Sequence, residues 1–372
     1  MKKAIIIFVL AAICASANAT VITVSNNVNS PGQYTNLQLA INAAANNDTL
    51  FVHGSPNSYD GAIINKPLTI MGAGALPNKD YYFATRLPVL TLSYNILYTS
   101  SASGSKIIGC DIEGLVLNGG NGTTAPGISN VVITRNRIQY ISCYQPFTTI
   151  PGLAHTNISV YNNIIDVINA VFIKNSVIKN NIIRVISPLG NVNAGTVLIA
   201  NNIILANITT VSNATISNNI FYHTTSTSAV VDATLCSLFN NCFYSTTHSY
   251  VLSDIIYGNN TGSNNILNQA PMFVYYNPSM PLNSYTSINP AGAPFTNYNL
   301  QTGSPCLLSG SDGTDIGIYG GLSPFVEGYP ANSRYRYFPM PAIPQMLQMN
   351  IPNPNILPAG TISVDFKARK ND

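Results

Sequence analysis

Six times the chain sets two adjacent asparagines ahead of branched or aromatic apolar residues. "SVYNNIIDVI" (Ser159–Ile168), "VIKNNIIRVI" (Val177–Ile186) and "VLIANNIILANI" (Val197–Ile208) show the pattern, and "TISNNIFYHT" and "LFNNCFYST" repeat it. The first asparagines stand at 162, 180, 201, 218, 240 and 264, in steps of 18, 21, 17, 22 and 24 residues. A spacing near 20 residues is that of a solenoid, in which each unit buries its face only against its neighbours. The apolar runs beside the asparagines are too short for helices, and their Val and Ile favour strands. A leucine-rich repeat needs a steadier period and a Leu-x-x-Leu-x-Leu frame, which this chain lacks. A parallel β-helix tolerates variable steps, because extra residues leave as loops.

In a β-helix, coils stack about 4.8 Å apart and equivalent residues form columns. An Asn amide can bond to the Asn above and below, as in stacked fibrous sheets. Asn also accepts the left-handed backbone of a tight corner. "NNII" therefore reads as a corner followed by a core-facing strand. A weaker copy, "TRNRI" (Thr134–Ile138), puts Asn136 in the column 26 residues before Asn162, and "DIEGLVL" (Asp111–Leu117) offers a turn at Glu113–Gly114.

The chain opens "MKKAIIIFVLAAICASANA". Two lysines, a short apolar run and Ala17-Asn18-Ala19 read as a secretory signal peptide over residues 1–19. A lipid anchor on Cys14 is disfavoured, because Ile13 stands where a small residue is needed. Lys2 and Lys3 leave with the signal, which lowers the net charge from +3 to +1. That balance argues against nucleic acid as a partner. No later stretch is apolar enough for a membrane helix, so an exported monomer, secreted or on the cell surface, is expected. Charged residues are 8% of the chain, against about 25% in ordinary soluble domains. Cys110, Cys143, Cys236, Cys242 and Cys306 are an odd set without a CxxC spacing. They read as buried apolar thiols with at least one unpaired or bonded between chains.

"LQLAINAAANNDTLFV…YDGAIINKPLTIMGAG" places a capping helix (residues 34–47, Thr35 as N-cap), a strand and a "K-P-L-T-I-x-G" coil in that order. It resembles the opening of secreted right-handed parallel β-helix proteins, the pectate-lyase-like superfamily. "NNILNQAPMFV" and "NYNLQTGSPCLLSGSDGTDIGIYGG" resemble the last coil of bacterial members. The resemblance covers Thr20 to about Gly321. It implies an all-β fold: a right-handed parallel β-helix solenoid over residues 20–321, with an N-terminal capping helix. An extended C-terminal β tail, Pro-rich and with short strands, follows over 322–372. Such folds carry lyases, hydrolases, adhesins and binding proteins, so the fold alone does not select an activity.

A lyase of that superfamily needs a base, often Arg or Lys, and a cation for the substrate carboxylate, often calcium on clustered Asp. A glycosidase needs paired carboxylates, and the "N-x-D…D-D…G-H-G" series of polygalacturonase-like hydrolases is absent. Charges crowd the early coils; between Val185 and Ser311 only Asp232 and Asp254 remain. Aligned on the asparagines, Tyr140, Asp166, Arg184, Leu205, Tyr222 and Tyr244 share one column. Arg135, Tyr161, Lys179, Ala200, Ser217 and Phe239 share another. Arg135, Asp166, Lys179 and Arg184 are the candidate catalytic wall, facing an acidic sugar. The competing reading is ion pairs that join coils.

Asp111 and Glu113 could offer calcium two carboxylates, and Arg135 and Arg137 could equally neutralise them; no cofactor is required otherwise. Tyr140, Tyr222 and Tyr244 are either an aromatic ladder for sugar rings or a half-buried supporting column. The leading expectation is a carbohydrate-binding or structural, adhesive β-helix protein engaging a polysaccharide or cell-surface glycan. The alternative is a polysaccharide lyase or related enzyme acting on an acidic glycan.

Overall fold

The structure is a computed structural model. It describes residues 19–74, 84–95, 100–119, 127–144, 154–170, 173–189, 196–224, 229–276, 297–322, 324–325, 345–350 and 365–369. The signal segment, apart from Ala19, lies outside them. The chain winds into a parallel β-solenoid of about eight turns. The stacked coils build two long sheets. The first sheet has eleven strands, running from Val21–Val24 through Val132–Thr134, Ser159–Tyr161 and Ser176–Lys179 to Thr261–Ser263. The second runs from Ala62–Ile64 through Arg86–Asn95, Asp111–Asn118, Arg137–Tyr144, Ile164–Ala170 and Ile182–Leu189 to Ile266–Leu267.

The core is a pair of aliphatic stacks. Ile133, Val160, Ile178, Ile199 and Ile216 point in from the first sheet, and Ile138, Ile165, Ile183, Ile204 and Phe221 from the second. Each is essentially buried, which contributes about 1.5–3 kcal/mol per side chain. The alternate outward positions of the first sheet are mixed, with Ser159, Thr215 and Ser237 in register with Val132, Val177 and Leu198.

The Asn pair joins the two sheets, and its members have different tasks. The first Asn supplies the left-handed corner: φ is 56° at Asn162, 52° at Asn180 and 55° at Asn201. The second turns inward, is fully buried from Asn163 to Asn241, and forms the ladder. Asn181 Nδ2 donates to Asn202 Oδ1 at 3.0 Å, to Val160 O of the preceding coil at 2.9 Å and to Lys179 O at 2.8 Å. Its Oδ1 accepts from the backbone N and the Nδ2 of Asn163 at 2.9 and 3.0 Å. The same contacts run from Asn136 through Asn163, Asn181, Asn202, Asn219 and Asn241 to Asn265. A buried amide so fully satisfied rigidifies the turn, whereas a partly satisfied one would cost more than an apolar residue.

This shifts the frame of the early coils by one residue. Asn136 stacks on Asn163, not Asn162, and Arg135 takes the left-handed corner at φ 58°. One coil earlier the turn is Gly109–Cys110, with Gly109 at φ 68° and the Cys110 N–H donating to Asn136 Oδ1. Glu113 and Gly114, expected at that turn, lie within the strand.

The helix Leu37–Ala43 covers the N-terminal end with Leu37, Ala40 and Ile41. Its N-cap is Asn36 rather than Thr35: Asn36 Oδ1 accepts from the Leu39 N–H at 3.1 Å. At its other end Lys66 Nζ donates to Ala44 O at 2.8 Å, a cation where the helix dipole favours one. At the C-terminal end, Tyr250 and Ile255 close over the last coils.

The segment expected to form a final coil does something else. The solenoid strands end at Ile266–Leu267. Phe273–Tyr275 then pairs antiparallel with Asn297–Leu300. From Ser304 to Phe325 the chain runs back over the outside of the second sheet as a strap. Together with Phe273 of that antiparallel pair, its Cys306, Ile316, Ile318 and Phe325 bury an outward column of Ile164, Ile182, Ile203, Ile220 and Cys242. The corner asparagines hold it. Asn180 Nδ2 donates to Ile318 O at 2.9 Å and Gly320 O at 2.8 Å. Asn218 accepts from the Ser311 N–H at 2.9 Å and donates to its hydroxyl at 3.0 Å, and Asn240 donates to Ser309 O at 3.0 Å. The tail strands Gln345–Asn350 and Asp365–Arg369 pair with each other, antiparallel.

Candidate functional site

Above the strap, on the early coils, the outer face of the second sheet carries three columns. In the first, Arg86, Asp111 and Arg137 are in register on successive coils. Asp111 Oδ2 lies 3.6 Å from Arg137 Nη1 and 4.0 Å from Arg86 Nε. Burial pushes the Asp111 carboxyl above its ordinary value, and the two guanidiniums, Arg137 first, hold it back. Asp111 thus turns its Oδ2 to two arginines on neighbouring coils. Among the described residues no three His, Cys, Asp or Glu side chains gather where a metal ion could sit.

The second column holds Glu113, Gln139, Asp166 and Arg184. Arg184 grips Asp166 with both arms of a fork: Nη2 donates to Oδ2 at 3.0 Å, and Nε to Oδ1. This hydrogen bonding raises the guanidinium above its usual pKa. The expected adjacency of Asp166 and Arg184 is therefore present, as an ion pair between coils.

Tyr140 does not share their column. It pairs in register with Gly114 and Val167, a third column that also contains Val89 and Val185. Its ring lies across Gly114: a Cβ on that glycine would sit 2.2 Å from Tyr140 Oη. Glycine is what allows the ring to lie down. Tyr140 stays 36% exposed, with exposed Gln139 and Glu113 nearby in register.

The other candidates are dispersed. Lys179 stands on the first sheet, its Nζ 6.0 Å from the centroid of the Tyr161 ring. Arg135 is a corner residue between the sheets and stacks on Asn162, not on Tyr161: its N–H donates to Asn162 O at 3.0 Å, while Thr134 pairs with Tyr161. Arg135, Lys179 and the Asp166–Arg184 pair thus occupy three parts of the coil. Tyr222 and Tyr244 do stack, 5.5 Å between centroids, but Tyr222 also packs on Phe273 and Tyr276 at 5.3 and 4.5 Å. Burial there pushes its phenol up to about 12. It belongs to the seat of the strap, not to a ladder with Tyr140.

Residue reasoning missed the strap contacts of Asn180, Asn218 and Asn240 and the place of Arg86 in the charged column, whereas the neutralising of Asp111 by Arg137 on the next coil was expected and is present. A signal for the first existed. "NNII", "NNIF" and "NNCF" put two apolar residues in succession, and a strand buried on both faces reads in that way. The class the fold defines is the parallel β-helix. No profile of a known protein family matches the chain, and no curated protein matches it either. No described helix is long and apolar enough to cross a membrane.

Proposed function

We propose that the protein is exported and acts outside the cell or on its surface as a carbohydrate-binding β-helix. Its binding face is the outer side of the second sheet on the early coils. The observation that carries this reading is Tyr140 laid flat over Gly114 and left open, beside Gln139 and Glu113. An aromatic face with polar neighbours is what a sugar ring stacks on, since the ring's apolar side meets the π-face while its hydroxyls reach the rim. The charged groups support binding rather than catalysis. Asp166 is held by Arg184 and Asp111 by two arginines, so neither carboxylate is poised to take a proton from substrate, for which geometry comes first.

The test is retention of the full mature chain on immobilised pectate, alginate and glycosaminoglycan gels. Wild-type protein is expected to be retarded on at least one gel. Tyr140→Ala should elute with the void volume while its unfolding midpoint is unchanged. Equal elution of wild type and variant overturns the binding face. The same polysaccharides, incubated with the protein with and without calcium, should show no growth in the ultraviolet absorbance of an unsaturated uronide. Growth of that band would make the protein a lyase.

A further inference from the structure

The strap crosses an outward column that is isoleucine on four coils: Ile164, Ile182, Ile203 and Ile220. On the next coil the residue in register with Ile220 is Cys242. Directly over it the strap brings its own cysteine, Cys306. Both are fully buried in the same cluster as free thiols, and Cys242 Sγ donates to Gln269 O at 3.5 Å, two residues before the Pro271 that Ser304 of the strap holds. Backbone contacts on either side fix the approach. Asn240 Nδ2 donates to Ser309 O at 3.0 Å, Ser304 Oγ donates to Pro271 O at 2.6 Å, and the Ile316 N–H donates to Cys306 O at 2.9 Å. The other described cysteines, Cys110, Cys143 and Cys236, belong to the interior of the solenoid, separated from this pair by the sheet.

We propose that Cys242 and Cys306 form a disulfide that fastens the C-terminal strap to the solenoid. The oxidant is a disulfide, of a small thiol such as glutathione or of an oxidoreductase. One cysteine thiolate attacks it and expels a thiolate, giving a mixed disulfide. The second cysteine thiolate then attacks the sulfur of the first and expels the other thiolate. The Sγ–Sγ bond forms, two protons and two electrons leave the pair, and the acceptor disulfide becomes two thiols. Attack requires a thiolate, and the neighbouring Cys306 thiol, with burial, holds the Cys242 proton in place once the strap is down. Closure therefore accompanies docking of the strap. The finished bond lies out of reach of reductants in solution. Closing the long loop from residue 242 to residue 306 removes freedom from the unfolded chain.

The experiment is a cysteine map of the full mature chain, refolded with reduced and oxidised glutathione. The protein is denatured without reductant in the presence of a thiol alkylator, digested, and read by mass spectrometry. The expected result is alkylation of Cys110, Cys143 and Cys236. Cys242 and Cys306 should be recovered as one linked pair of peptides, lighter by two hydrogens and separated by reductant. Recovery of both as alkylated peptides, as glutathione adducts, or linked to another cysteine overturns the proposal. The map is made on protein whose far-ultraviolet dichroism shows the refolded β-structure, so failure to fold cannot imitate either outcome.

Discussion

The same outward column of the second sheet has two characters. On the coils of Arg86, Asp111 and Arg137 it is a row of alternating charges, partly open to water. From Ile164 to Cys242 it is apolar and buried. The backbone register is continuous across the change, since Arg137 pairs with Ile164 as Ile164 does with Ile182. The β-helix itself thus does not decide what stands on this column. The cover does: where the strap lies the sheet needs two greasy faces, and where it does not, charges in register neutralise one another. The strapped half is built for permanence. The open half, with Tyr140 on top of Gly114, is the one available to a partner.

Placing a charge under the strap should break this contrast most severely. Ile220→Asp buries a carboxylate with no cation nearby and should cost about 3–5 kcal/mol. Urea unfolding would read the loss, and proteolysis should cut the chain within 297–325 before the solenoid. A change of similar type in the open half is far milder. Arg137→Met leaves Asp111 with Arg86 and partial access to water, so about 1 kcal/mol is expected in the same titration.

Acidity should separate the two ends of the molecule, with an effect between those two. His223 is buried beneath the C-terminal cover, shares a hydrogen bond with Tyr250, and has no partner on Nε2. Burial first, and His248 second, lower its pKa from 6.5 to about 4. Because the folded value is the lower one, the unfolded chain binds the extra proton. Stability is full above about 6.5 and falls as the pH drops toward 4, by up to about 3 kcal/mol. Asp48 at the N-terminal end behaves differently. The Thr20 N–H, ahead of the other contacts, lowers its carboxyl below 3.8, so its contribution persists until more acid conditions. Thermal melts of wild type against His223→Leu, from pH 7 to 4, should lose most of their pH slope in the variant.

The smallest effect belongs to the pair that most resembled a catalytic wall. Arg184 is 39% exposed, so solvent screens its attraction to Asp166. Arg184→Ala should cost no more than about 0.5–1 kcal/mol, within reach of careful denaturant titration.

How much of this was written in the residues follows the same division. The asparagine period disclosed the solenoid, because only stacked corners reward Asn at that position coil after coil. The capping helix was legible from the spacing of Leu37, Ala40 and Ile41. The roles within each pair were not, since a left-handed corner and an inward ladder position both suit Asn. That ambiguity put Asn136 one residue out of frame and moved Tyr140 and Arg135 into the wrong columns. The strap escaped notice because Ile164, Ile182, Ile203 and Ile220 were all read as interior. Each in fact points outward, and the residue after it points in. Of the candidate site, the Asp166–Arg184 contact followed from adjacency on neighbouring coils. Tyr140 leaves the other tyrosines through that frame shift, and a long-range cover, invisible to local spacing, claims Tyr222.

The central claim is the division of labour in the Asn pairs: one amide inside for the ladder and, at Asn180, Asn218 and Asn240, its neighbour outside for the strap. Hydrogen–deuterium exchange on wild type, Asn180→Ala and Asn181→Ala tests it most directly. Asn180→Ala should raise exchange within residues 297–325 and leave the interior strands protected. Asn181→Ala should raise exchange in strands Ser159–Tyr161 to Val197–Ala200, on both sides of the broken rung. The same exchange pattern in both variants would contradict the account.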